Sequence, residues 1–172
     1  MLSRGLKVAL GVALVVIAID QATKVWAEAT LTEHIRQPLI GSLLQLHLLY
    51  NPGAAFSMFT NATWVFAIFS SAICCLILFS AHRVVHPVWQ VAVGGVLGGA
   101  GGNLIDRLTN APGFGRGLVV DFLELPYWPV FNIADSAVVV SACVMVLMSF
   151  RGINFDGTRI SDHESKNEAS SE

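Results

Sequence analysis

The sequence predicts a membrane all-α core, a bundle of four transmembrane helices, with a small extracytoplasmic β-sheet and an amphipathic helix. Three observations carry this reading. Of 172 residues, 54% are apolar and 13% charged, and the mean hydropathy is +0.64, far from the composition of a soluble domain. Four stretches, about 6–25, 62–81, 87–106 and 132–150, each approach the ~20 residues that cross a hydrocarbon core of ~30 Å. The segment between the first two spans is too long for a simple turn.

The first span imitates a secretory signal, with Arg4 and Lys7, an apolar core, and Ala27-Glu28-Ala29 resembling a small-residue cleavage site. Three further spans follow, and Asp20, Gln21 and Lys24 intervene, so it is expected to stay uncleaved. In the outer segment, "ATKVWAEATLTEHI" (22–35) suits an interfacial amphipathic helix, and "LLQLHLLYN" (43–51) partly alternates as a strand does. The third span carries "GGVLGGAGGN" (94–103) without the preceding strand that a dinucleotide loop requires. Its pairs Gly94 with Gly98, Gly95 with Gly99, and Gly98 with Gly102 instead admit a neighbouring helix. Residues 1–150 thus form the folded unit, and the polar residues 151–172 are expected to be a disordered tail.

Four spans put both termini on one side. Arg4, Lys7, Arg83, Arg151, Arg159 and Lys166 fall on that side, against Lys24, Arg36, Arg107 and Arg116 on the other. The positive-inside rule therefore favours cytoplasmic termini, with 26–61 and 107–131 outside. Net charge is −2 with scattered basic residues, which argues against a nucleic-acid partner. Cys74, Cys75 and Cys143 lack zinc-ligand or CxxC spacing, and no HExxH occurs, so no metal is expected.

The polar exceptions sit at one depth. At ~1.5 Å per residue, Asp20 lies roughly 20 Å beyond Lys7, Asp106 roughly 28 Å beyond Pro87, and Asp135 roughly 24 Å before Arg151. All three fall in the outer part of the membrane. Asn103 precedes Asp106 and Asn132 precedes Asp135 by the same helical spacing, so each amide shares a face with its acid. Two such carboxylates brought together tend to share one proton, which suits aspartic proteolysis with no cofactor. Alternatively the acids bind Arg107, or Asp135 caps its helix. A proton-coupled transporter is the main rival class, although no ionisable residue lies in the second span. A structural subunit would account for the glycines alone. His82 and His86 fall on the cytoplasmic side, away from the acids, and no GxGD signature is present.

The motifs "DQATK" (20–24), "NPGAAFS" (51–57), "GGNLIDR" (101–107), "VVDF" (119–122) and "FNIADS" (131–136) together resemble those of lipoprotein signal peptidase, or signal peptidase II, a bacterial aspartic protease of the cytoplasmic (inner) membrane. The resemblance implies that Asp106 and Asp135 are catalytic. It makes Asp20, Lys24, Asn51, Gly53, Asn103, Arg107, Arg116, Asp121, Asn132 and Ala134 residues that shape the site or hold substrate. It implies a diacylglyceryl-modified prolipoprotein as substrate, cut just before the lipidated cysteine, with the outer segment (about 26–61) as its cradle and a monomer as the working unit. Asn51 would bond substrate backbone, the residues from Pro52 and Gly53 would permit its close approach, and Lys24 and Arg116 would meet the headgroups of membrane lipids or simply snorkel. The stretch "LTNAPGFGRGL" (108–118) looks longer than the family's usual connection and is expected to line the substrate entrance.

Overall fold

The computed structural model describes residues 3–53 and 63–159. Its elements are α1 (Arg4–Thr30), β1 (Arg36–Ile40), β2 (Leu44–Asn51), α2 (Thr63–Ser80), α3 (Pro87–Thr109), β3 (Val119–Glu124) and α4 (Ile133–Phe150). All four helices are long and apolar enough to cross a membrane, and large side chains such as Leu14, Val15, Phe69, Leu76 and Val140 lie exposed on them. In water such surface would be a liability, whereas lipid is its matching solvent. The chain is a multi-pass membrane protein.

Ser3 starts α1 by accepting the amide of Leu6 at 3.2 Å. No glycine or proline interrupts the 27-residue helix after Gly11, so at ~1.5 Å per residue it runs ~40 Å, beyond a ~30 Å hydrocarbon core. The amphipathic segment is realised as its outer turns: Lys24 and Ala27 point inward, while Val25, Trp26 and Glu28 are exposed. Pro87 opens α3, at a position where its missing N–H costs nothing.

The outer cap is an antiparallel sheet in the order β1-β2-β3. Arg36 faces His47 across the first pair, and Asn51 faces Val119 across the second. Leu48, Val120 and Phe122 are buried with Ala27 of α1, and Trp26 meets Phe122 edge-on with ring centroids 6.4 Å apart. Glu124 ties the three strands, accepting from Arg36 at 2.7 and 2.9 Å and meeting His47 Nδ1 at 2.9 Å. The sheet is thereby seated on the outer end of α1, holding β3 over the mouth of the bundle.

Helix α3 is the central helix, and its glycines serve two faces. A side chain at Gly94 or Gly98 would strike Ala9, Val12 or Val16 of α1, and one at Gly95 or Gly99 would strike Ser141, Ala134 or Val138 of α4. The stripes are therefore used within one bundle. Gly98→Ala would set a methyl 2.6 Å from Val16 Cβ and is expected to cost ~1–3 kcal/mol. Thermal unfolding in detergent checks this, and an unchanged Tm would contradict the close α1–α3 approach.

The start of the polar tail is ordered. Phe155 O accepts the amides of Val85 at 2.9 Å and His86 at 3.2 Å, and Ile153 O accepts Trp89 Nε1 at 3.0 Å. These contacts fold residues 151–159 back against the α2–α3 connection. The remainder, 160–172, lies outside the described residues.

Candidate active site

The polar residues converge where the outer turns of α1, the end of α3 and the start of α4 meet β3. Gly102 makes the convergence sterically feasible, since a Cβ there would lie 2.6 Å from Asp20 Oδ2. Two linked clusters result.

In the first, Lys24 is 2% exposed and its ammonium is saturated. Nζ lies 2.7 Å from Asp20 Oδ2 and 2.8 Å from Asp106 Oδ2, and it donates to Asn103 Oδ1 at 3.0 Å. Asp106 also accepts Gln21 Nε2 at 3.0 Å and the Val120 amide at 3.1 Å. Asp20 Oδ1 accepts the Ala134 amide at 2.9 Å, pinning the first turn of α4. Burying such charges is tolerable because each is paired and its remaining capacity filled.

Two expectations change here. Lys24 does not reach toward lipid headgroups, because the i,i+4 spacing to Asp20 turns it inward. Nor is Asp106 paired with Asp135: among the described residues its hydrogen-bond and ion-pair partners are Lys24, Gln21 and Val120. The inward lysine takes the place at Asp106 that the second acid was expected to fill.

The second cluster joins Asp135 to Asp121 instead. Asn132 and Asp135 form a reciprocal capping box at the start of α4, so Asn132 Nδ2 is free to donate to Asp121 Oδ1 at 2.7 Å and to Asn103 Oδ1 at 3.0 Å. Asn103 Nδ2 donates to Asp135 Oδ1 at 2.7 Å. Asn51, at the end of β2, donates to Asp121 Oδ2 at 2.8 Å while its own oxygen accepts the Gly53 amide at 2.7 Å. Among the described residues no Lys or Arg lies within ion-pair distance of Asp121 or Asp135. Asp121 is 1% exposed, and burial, reinforced by the charge of Asp135, pushes its carboxyl up to about 7.

Arg107 is 7% exposed and lies over the Phe66 ring, 5.1 Å from its centroid, a cation–π contact. It interacts electrostatically with Asp106, Asp121 and Asp135, yet among the described residues its buried Nη1 has no hydrogen-bond partner. Gly53 adopts φ +93°, and a Cβ there would meet the same Phe66 ring at 2.5 Å. Arg116 lies apart on the exposed connection between α3 and β3. Residues 54–57 of the "NPGAAFS" motif lie outside the described residues.

Two grooves flank the second cluster. One, about 370 Å³, is lined by Leu125, Trp128, Phe131, Ser136 and Val139 and reaches Asp135. The other, about 300 Å³, is lined by His34, Tyr50, Asn51, Pro52 and Pro129 and reaches Asp121.

Sequence reasoning put Asp121 at the margin of the site, noted Gln21 only alongside Asp20 and Lys24 without a site role, and passed over Phe66. A strand signal was available for the first, since Asp121 interrupts the buried, partly β-branched run Val119-Val120-Phe122 and a carboxylate there lacks a solvent-facing explanation. Phe66 carried no comparable signal.

The family model described as signal peptidase (SPase) II matches residues 12–151. A lipoprotein signal peptidase of Mycobacterium avium is 45% identical, with 89% of this chain aligned to 84% of that one. One from Mycobacterium tuberculosis (strain ATCC 25618 / H37Rv) is 44% identical over 89% of this chain and 76% of its own. A solved bacterial membrane enzyme superposes with a TM-score of 0.72 at 27% identity, covering 83% of this chain and 87% of that chain. A match spanning all four helices and the cap, with such relatives, means that the chain belongs to the signal peptidase (SPase) II family.

Proposed function

We propose that the chain is an aspartic endopeptidase that removes the signal peptide from prolipoproteins, cutting just before a diacylglyceryl-modified cysteine, with Asp121 and Asp135 as its catalytic pair. One observation carries this: the two carboxylates with no ion-pair partner among the described residues are joined through Asn132, whereas Asp106 is held by Lys24. Two adjacent acids in a dry site hold one proton between them. The ionised member takes a proton from a water that attacks the scissile carbonyl, and the protonated member donates to the carbonyl oxygen. The resulting diol collapses as a proton passes to the leaving amine, restoring the pair.

Arg107 is assigned to substrate, because a buried guanidinium with an unfilled donor suits a peptide or ester carbonyl oxygen. Asn51 is assigned to orienting Asp121, since both ends of its amide are already engaged. The apolar groove beside Asp135 runs along exposed Val139 and Val140 of α4 and suits acyl chains, while Arg116 suits a lipid headgroup. The charge distribution supports cytoplasmic termini and a site at the outer face of the bacterial cytoplasmic membrane. Use of the glycine stripes inside one bundle supports a monomer.

The test is incubation of purified enzyme in detergent with a synthetic prolipoprotein, diacylglyceryl-modified or unmodified, and mass analysis of the products. A single cut before the modified cysteine, with the unmodified peptide left intact, is expected. Equal cleavage of both peptides, or a cut elsewhere, would overturn the assignment. The pH profile follows from the same groups. Asp121 must be protonated to act as acid, so kcat/KM is expected to fall about tenfold per pH unit above about 7. A profile flat to pH 9 would contradict that role.

A further inference from the structure

The pair is chemically symmetric on paper, but its surroundings are not. Lys24 Nζ and Asn132 Nδ2 both donate to one atom of the Asn103 amide, each at 3.0 Å. That atom must be the oxygen, so the amide cannot be flipped. Its NH2 group is therefore committed to Asp135 Oδ1 at 2.7 Å. Asp135 Oδ2 accepts the backbone amide of Asn132 at 3.2 Å, and the carboxylate stands in the first turn of α4, where the helix dipole favours negative charge. Asp121 has neither advantage. It lies on a strand, is 1% exposed, and among the described residues its carboxylate accepts from the neutral amides of Asn51 and Asn132.

We infer that Asn103 is a positioning residue that carries the polarity of Lys24 to Asp135, making Asp135 the ionised base and Asp121 the resting holder of the shared proton. This rests on the assignment of Asp121 and Asp135 as the pair. The other charged groups facing the pair are Asp20 and Lys24 from α1 and Asp106 and Arg107 from α3. Lys24 is held by Asp20 and Asp106 and acts through space on both Asp121 and Asp135, so the oriented amide, which donates to Asp135, is what distinguishes the two. Arg107 interacts more strongly with Asp121 than with Asp135, so it is not what favours the charge on Asp135. In the reaction, a water proton moves to Asp135 as the C–O bond forms, and the Asp121 proton moves to the carbonyl oxygen. The amine later leaves with the proton that Asp135 took, and Asp121 is reprotonated from the collapsing diol.

The experiment compares Asn103→Leu, close in volume but unable to donate, with wild type in detergent, using infrared spectra of ¹³C-aspartate-labelled protein and the pH profile of cleavage. In the Asp121→Asn background at pH 6, no protonated-carboxyl band assignable to Asp135 is expected. Adding Asn103→Leu is expected to make that band appear, because the ionised form has lost its donor. In the otherwise wild-type enzyme the same substitution is expected to move the acid limb of kcat/KM upward by about one pH unit, a tenfold loss on that limb carried by kcat with KM unchanged. Should Asn103→Leu fail to fold, Asn103→Ser, which also breaks the span from Lys24 to Asp135, takes its place with the same expected readings. A protonated Asp135 in the Asp121→Asn protein, or an acid limb unmoved by loss of the amide, would overturn the inference. Retained cleavage by Asp121→Asn would instead overturn the pair itself, so the two failures are distinguishable.

Discussion

Asp121→Asn and Asp135→Asn are each expected to lower kcat by 10²- to 10⁴-fold, the usual worth of positioned acid–base groups, while Asp106→Asn stays within about tenfold of wild type. The contrast follows from what each carboxylate is bonded to. Asp106 accepts from Lys24, Gln21 and the Val120 amide, and an amide oxygen at that position still accepts from the ammonium. Asp121 and Asp135 are bridged by Asn132 and have no cation in ion-pair contact among the described residues, so replacing either removes a proton carrier. Folding separates the explanations further. A carboxyl raised to about 7 by burial binds its proton more tightly folded than unfolded, so its stabilising effect is full below pH ~4 and is lost as pH rises through about 7. Asp121→Asn has no such loss, and at pH 8 it is expected to be inactive yet at least as stable as wild type. Inactivity accompanied by a lowered Tm would instead mean that Asp121 serves the fold.

Lys24→Met is expected to destabilise the protein by about 3–5 kcal/mol, the cost of leaving buried charge uncompensated. The ammonium is 3% exposed and sits between two carboxylates whose side chains are 0% and 4% exposed. Its removal leaves Asp20 and Asp106 facing each other without a counter-charge, and these residues tie α1 to α3, β3 and α4. Thermal unfolding at pH 8, in one detergent, checks the size. A Tm unchanged at pH 8 would show that Lys24 is dispensable and that the first cluster does not hold the bundle together.

The bundle was legible because its physics is local. Four apolar stretches of bilayer length announce four helices, and glycines at four-residue spacing announce close packing. Only the direction of that packing, toward α1 on one face and α4 on the other, needed three dimensions. The helical rise also let Asp20, Asp106 and Asp135 be set together, and they do meet at one end of the bundle through Lys24 and Asn103. Pairing the acids was harder, because the rule that two nearby acids share a proton holds only where no cation intervenes. Lys24 lies some eighty residues before Asp106, and although its i,i+4 spacing to Asp20 is local, that spacing does not show that the ammonium also reaches α3. Asp121 was underweighted for a related reason: β3 has six residues, too few for alternation to reveal, and its position above the bundle depends on Val120 and Phe122 packing against Ala27 and Trp26 of a distant helix.

The central claim is that Asp121 and Asp135 act as one unit. Single-turnover cleavage of the lipidated substrate by Asp121→Asn, Asp135→Asn and the double variant tests it most directly, since groups serving one step are not additive. The double variant is expected to retain about the same residual rate as either single one. If the two losses multiply, the residues act in separate steps and the proposed pair is wrong.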